Sequence, residues 1–112
     1  MISHVVLMKP RADLGPEERR ALAAAFEHAV TVIPSVRAVR VGRRVTHGAG
    51  YEQGVPDTGD FLAVIDFEDL DGLQAYLRHP EHEALGRLFR QSLSAALIFD
   101  FEIGGLELLE GV

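Results

Sequence analysis

The strongest constraint on the fold of this chain is that its predicted strands carry apolar residues on both faces. The segment Ile2 to Lys9 places apolar residues on each of its alternating sides, and so does Phe61 to Phe67, which reads FLAVIDF. A strand with one face in water alternates apolar and polar residues more regularly. The sheet therefore needs a covering layer on each side.

Proline and carboxylate positions predict where the helices begin. Pro16, followed by two glutamates, predicts the start of an amphipathic helix that Pro34 ends, because proline fits the first turn and carboxylates favour the positive end of the helix dipole. Asp69 predicts the N-cap of a short helix, and Pro80 predicts the first residue of the next helix. Two further apolar runs predict strands at Val36 to His47 and at Ala95 to Ile103.

The resulting order of elements is β-α-β-β-α-β, which is the α+β, ferredoxin-like arrangement with a four-stranded antiparallel sheet. The helices of this arrangement lie on one face of the sheet, and the 112-residue chain has no further segment long enough to cover the other face. We therefore expect a second copy of the chain to cover it, and predict a homodimer. We expect one domain over 1–112, with a core of about 2–103 and a short C-terminal tail.

Composition and motifs exclude several classes of function. The chain has no cysteine, which excludes disulfides, a thiolate nucleophile and a cysteine-ligated metal. A net charge of −6 argues against a general nucleic-acid binder. No apolar run approaches the ~20 residues of a membrane span, and the N-terminus does not resemble a signal peptide, so we expect a cytoplasmic protein without a membrane partner. We predict no metal and no cofactor, because phosphate-binding and zinc motifs are absent and the pair His79 and His82 has no evident third ligand.

Histidines are the main candidates for chemistry. His82 is spaced from Leu85 and Phe89 so that it projects from the apolar face of the last helix toward the sheet. His4 lies on an apolar strand face, and His79 is placed to cap the last helix. A buried imidazole needs a partner, so each inward-facing histidine is either a core residue or an acid–base group.

Tyr76 and Asp100 leave the same two interpretations open. A buried tyrosine is an aromatic anchor whose hydroxyl finds a partner. A carboxylate in an apolar strand is unusual, and Asp100 could form an ion pair with Arg87 or Arg90. It could also orient an imidazole and fix its tautomer.

The run YLRHPEH at 76–82, followed by ALIFDFE at 96–102, resembles the stress-responsive dimeric α/β barrel (Dabb) family. The opening residues HVV at 4–6 and the strand within 60–67 also fit, and the resemblance covers about 2–103. It implies a ferredoxin-like subunit whose sheet packs on the sheet of a partner as a homodimeric barrel.

The family includes a plant polyketide cyclase, an enzyme type that closes a poly-β-keto chain without a cofactor. The resemblance implies that His82 takes a proton from the substrate and that Asp100 holds the His82 ring. It further implies that Tyr76 donates a hydrogen bond to the carbonyl oxygen that gains charge, and that His4 lines the pocket.

Phe61 marks a departure from that enzyme type, which has a pocket histidine at the matching position. A phenyl ring there implies a narrower or more apolar pocket and a different substrate. The candidate substrate-contacting residues are His4, Phe61 and His79.

Three functions stay open at this point. The chain could be a lyase or cyclase acting on a small apolar carbonyl compound. It could instead be a non-enzymatic, stress-associated homodimer that binds a hydrophobic ligand or only stabilises itself. Other dimeric barrels include cofactorless monooxygenases and haem-handling proteins, although that analogy rests on the fold alone. The glycine-rich loop at 48–60 either covers a pocket or is mobile.

Overall fold

In the computed structural model, which describes residues 1–111, four strands form one antiparallel sheet and three α-helices cover one of its faces. The elements in chain order are β1 (Ile2–Pro10), α1 (Pro16–Val32), β2 (Ala38–Arg43), β3 (Phe61–Phe67), α2 (Leu70–Arg78), α3 (Pro80–Ser92) and β4 (Leu93–Glu102). The strand order across the sheet is β2-β3-β1-β4. This order confirms the predicted ferredoxin-like fold. No helix within residues 1–111 combines the length and the apolar character that crossing a membrane requires.

The helices begin at the residues that the sequence predicts. Pro16 opens α1, and the Asp69 carboxylate accepts a 2.8 Å hydrogen bond from the Gly72 amide at the start of α2. His79 alone joins α2 to α3. Its backbone N–H donates to the Tyr76 carbonyl at 3.1 Å, which ends α2, and its Nδ1 accepts from the Glu81 amide at 3.1 Å, which starts α3. The predicted capping role of His79 is thus confirmed.

The ends of β2 and β4 differ from the predictions. β2 ends at Arg43 and does not reach His47, because Arg43 lies opposite Phe61, the first residue of its only neighbour, β3. β4 begins at Leu93 and ends one residue before Ile103. The loop at 48–60 contains a short 3₁₀ turn, and the ion pair between Lys9 and Asp57 ties the loop to β1.

The two faces of the sheet differ in how they are covered. On the helix-covered face, Ile65 and Phe67 of β3 are at most 1% exposed. On the other face, Leu97, Phe99 and Phe101 of β4 keep 38% to 49% of their surface exposed. The Cα positions span only 17 Å along the shortest axis, which corresponds to two layers. The chain therefore leaves an apolar sheet face uncovered; we call this surface, carried by Leu97, Phe99 and Phe101, the open face.

Candidate functional site

A cavity of about 420 Å³ lies between the helices and the end of the sheet formed by β1 and β4. Its volume is typical of small-molecule sites. Most of its wall is apolar, and its polar members are His4, Tyr76, His82, Arg90 and Ser94. We call it the histidine cavity.

Tyr76 lies between two imidazole rings in this cavity. Its ring centroid is 4.6 Å from that of His82 and 5.9 Å from that of His4, both in edge-on arrangements. The side chain faces the core because Leu73 and Tyr76 form the buried face of the short helix α2. Burial raises the pKa of Tyr76 to about 12, and the hydroxyl makes no side-chain hydrogen bond within residues 1–111. Tyr76 is therefore a protonated, unused donor at neutral pH.

His82 lies in the first turn of α3 and is half-buried. Burial lowers the pKa of His82, and repulsion from the nearby His4 lowers it further. The backbone of Leu77 acts on this pKa in the opposite direction but is the smaller influence. The imidazole is therefore neutral at pH 7, and a neutral ring has one nitrogen that can accept a proton.

His4 is paired with Asp100, and this pairing differs from the sequence-based expectation. Nδ1 of His4 is 2.6 Å from Oδ1 of Asp100, because the two residues lie directly opposite each other on β1 and β4. Asp100 therefore does not hold the ring of His82. Within residues 1–111 the only ion-pair partner of Asp100 is His4, so neither Arg87, which pairs with Glu83 at 3.8 Å, nor Arg90 pairs with it. Asp100 also keeps 44% of its side chain exposed, because β4 is an edge strand.

Two of the predicted substrate-contacting residues lie outside the histidine cavity. Phe61 lies opposite Met8 on β1, whereas His4 lies opposite Ile65. Four residues along a strand correspond to about 13 Å, so Phe61 does not reach the His82 region as the family comparison implied. His79 occupies the cap between α2 and α3 and is not part of the cavity wall.

Phe61 instead lines a second cavity, of about 440 Å³, between α1 and the other end of the sheet. We call it the apolar cavity. Its charged members, Arg19 and Glu27, are exposed residues of α1. Phe26 and Phe89 line both cavities, and their rings stack with centroids 6.3 Å apart and planes 9° from parallel. These two rings form part of the wall that the cavities share.

Gly86 and Arg90 belong to the histidine cavity but were not placed there by the sequence analysis. They follow His82 at intervals of four residues on the same helix, so one face of α3 carries all three. That spacing was the available signal. Within residues 1–111, no three histidine or carboxylate side chains come close enough to hold a metal ion.

Sequence comparison relates the chain to a known domain family. The family model described as the stress-responsive A/B barrel domain matches residues 2–103. Olivetolic acid cyclase of Cannabis sativa is 24% identical over 100 residues, which are 89% of this chain and 94% of that enzyme.

Structure comparison identifies relatives of the same fold. A crystal structure of an Arabidopsis thaliana protein matches with a TM-score of 0.80 at 21% identity, over 95% of this chain and 98% of that one. A dimeric ferredoxin-like protein of unknown function from Thermobifida fusca matches with a TM-score of 0.72 at 24% identity, over 91% and 90% of the two chains. With the family model spanning almost the whole chain and the observed topology in agreement, this protein belongs to the stress-responsive α/β barrel domain family.

Proposed function

We propose that the histidine cavity is the active site of a lyase or cyclase that acts without a cofactor on a small, largely apolar carbonyl compound. The observation that supports this most is the Tyr76 hydroxyl, which is buried, protonated and without a partner within residues 1–111, beside a neutral His82. A bound carbonyl oxygen would accept the hydrogen bond that this hydroxyl has free to donate.

The proposed reaction is an intramolecular carbon–carbon bond formation. The free nitrogen of His82 takes a proton from a CH₂ group between two carbonyls. The carbanion then bonds to a further carbonyl carbon of the same molecule, and the oxygen of that carbonyl becomes an alkoxide. Tyr76 donates a hydrogen bond to this oxygen as its charge develops, and the imidazolium of His82 returns the proton to it. Electrons are neither gained nor lost overall, so these steps require no redox partner.

In this scheme His4 and Asp100 are positioning residues that hold the Tyr76 ring in place. The Asp100 carboxylate forms a hydrogen bond with Nδ1 of His4, which orients the imidazole ring and directs Nε2 away from Asp100. The His4 ring is 5.9 Å from that of Tyr76, edge to face. His4 therefore limits the movement of the Tyr76 ring on the side away from His82.

The test is ring closure of a linear poly-β-keto thioester, followed by chromatography against buffer alone. We expect the protein to accelerate ring closure, and we expect His82→Gln and Tyr76→Phe each to slow it by about 10²–10³-fold. His47→Gln is the matched control, since His47 is an exposed histidine that contacts Tyr51 in the loop. Full activity in His82→Gln would contradict the proposed base. Binding of the thioester with no acceleration would favour the non-enzymatic ligand-binding alternative.

We also infer that the protein is a homodimer that buries the open face. The exposed Phe99 and Phe101 support this inference, and the Thermobifida fusca relative is described as dimeric. Phe99→Glu would place a charge in the interface, so we expect it to give monomers in analytical ultracentrifugation. Leu70→Glu, at an exposed apolar residue of α2, is the control that should stay dimeric. A wild-type protein that sediments as a monomer would contradict the inference.

A further inference from the structure

The two edge strands of the sheet carry charges of opposite sign. Residues 36–47, which contain β2, include four arginines and no acidic residue, whereas residues 93–111, which contain β4, include four acidic residues and no lysine or arginine. All of these charged residues are exposed. The arginines are Arg37, Arg40, Arg43 and Arg44, and the acidic residues are Asp100, Glu102, Glu107 and Glu110. One edge of the sheet is therefore basic and the other is acidic.

Arg37 and Glu102 lie at the same level on these two edges. The amide of Arg37 donates to the Asp66 carbonyl at 2.9 Å, which places Arg37 beside the end of β3. Phe67, the last residue of β3, lies opposite Ile2 on β1, and Ile2 lies opposite Glu102 on β4. Three strand spacings, or about 14 Å, separate the two edges. The opposite charges are therefore too far apart to pair within one chain.

A two-fold axis can relate two sheets that pack by their open faces in two ways. With the axis perpendicular to the strands, each edge lies against the same edge of the partner, so that carboxylates meet carboxylates and arginines meet arginines. With the axis parallel to the strands, the β4 edge lies beside the β2 edge of the partner, and residues keep their level along the strands. Only the second arrangement brings opposite charges together.

We propose that in the homodimer the β4 edge of each subunit lies beside the β2 edge of its partner, with Glu102 near Arg37 of the partner subunit. This inference rests on the homodimer inferred above, because it specifies which edges of the two sheets meet. The two-fold axis repeats the contact, so the dimer contains two identical junctions.

Exposed apolar side chains on both edges support the same arrangement. Ile98 of β4 is 57% exposed and Val41 of β2 is 66% exposed. Both face the helix side of the sheet, because each lines one of the two cavities there. Packing of the open faces alone would leave them in water, and an uncovered apolar edge strand is prone to non-specific association. A junction between β4 and the β2 of the partner covers both residues.

The experiment reverses one charge on each edge and measures the dissociation constant of the dimer by analytical ultracentrifugation in about 0.05 M NaCl. Arg37→Glu and Glu102→Arg each place like charges at both junctions, so we expect each to raise the dissociation constant about tenfold. The variant with both reversals restores opposite charges, and we expect its dissociation constant to be within about threefold of that of the wild type. High salt should reduce these differences, because exposed charges are screened.

The matched control is Arg87→Glu, which changes the net charge by the same amount as Arg37→Glu. Each of the two arginines forms an ion pair with a nearby glutamate of its own chain, Arg87 with Glu83 and Arg37 with Glu68. Arg87 lies on α3, on the other side of the sheet from the open face, so we expect its reversal to leave the dissociation constant unchanged. The double variant does not restore the pair with Glu68, so any recovery in it reports on the junction.

The remaining outcomes overturn the edge pairing. They are single reversals that dimerise like the wild type, a double variant that stays as weak as either single one, or an Arg87→Glu variant weakened as much as Arg37→Glu. The homodimer itself stands in all three cases if the wild type sediments as a dimer. A wild type that sediments as a monomer contradicts the homodimer and the edge pairing together. Thermal melts of each variant establish that it is folded.

Discussion

The two cavities on the helix-covered side of the sheet have similar volumes, about 420 and 440 Å³, but their walls differ in chemistry. The histidine cavity contains a tyrosine and two histidines, whereas the apolar cavity has only Arg19 and Glu27 as charged members, both exposed on α1. Cavity size alone therefore does not identify the site. The two cavities differ in the side chains that the surrounding helices and strands direct into them.

The change from one cavity to the other follows a single strand. On β1 the residues that face the helices include His4, Val6 and Met8, in that order. His4 belongs to the histidine cavity and Met8 to the apolar cavity, four residues or about 13 Å along the strand. A polar end and an apolar end are thus built on the same sheet face, with the stacked Phe26 and Phe89 between them.

Removing part of the shared wall is the change with the largest expected effect on stability. Phe26→Ala deletes one ring of the stack, and Phe26 also packs against the buried core. We expect the free energy of unfolding to fall by about 2–3 kcal/mol, slightly less than for a fully buried phenylalanine, because Phe26 keeps some exposure. Urea unfolding measures this change.

The control for the wall variant is Tyr51→Ala, since Tyr51 is 71% exposed in the loop and its ring should contribute little. If Phe26→Ala and Tyr51→Ala change the free energy of unfolding equally, Phe26 is not a structural wall between the cavities.

Acidification should also reduce stability, although by less than Phe26→Ala does. It should affect the histidine cavity and not the apolar cavity, because only the histidine cavity contains histidines. The folded state lowers the pKa of His82 below its ordinary value of 6.5. The unfolded chain therefore takes up a proton near pH 6.5 that the folded chain does not, and stability falls as the pH decreases through this range. We expect the melting temperature to decrease between pH 7.5 and pH 5.5, and to decrease less in His82→Gln. Equal decreases measured by scanning calorimetry would contradict the burial of His82.

Most of the fold was predictable because its signals are local. Pro16, Asp69 and Pro80 mark helix starts through the geometry of one turn, and the structure begins its helices there. The length of β2 was not predictable in this way, because its end at Arg43 depends on where a different strand, β3, begins.

The candidate site was likewise predictable only where its contacts depend on local spacing. Tyr76 and His82 are six residues apart on consecutive helices, and their proximity follows from local spacing. The pairing of His4 with Asp100 joins residues 96 positions apart, and it depends on the register of β1 and β4, which no sequence pattern specified. The position of Phe61 depends on the register of β1 and β3 in the same way, and this register places it in the apolar cavity and not in the histidine cavity.

The one-residue connection at His79 has a consequence for conformational entropy. Two helices joined by a flexible loop would have to be ordered again whenever a ligand bound between them, and each immobilised side chain or loop residue would weaken binding. Here the backbone hydrogen bonds of His79 end α2 and begin α3 within a single residue. The loss of freedom that brings Tyr76 and His82 together therefore occurs when the chain folds, so a ligand meets the proposed donor and the proposed base already in place.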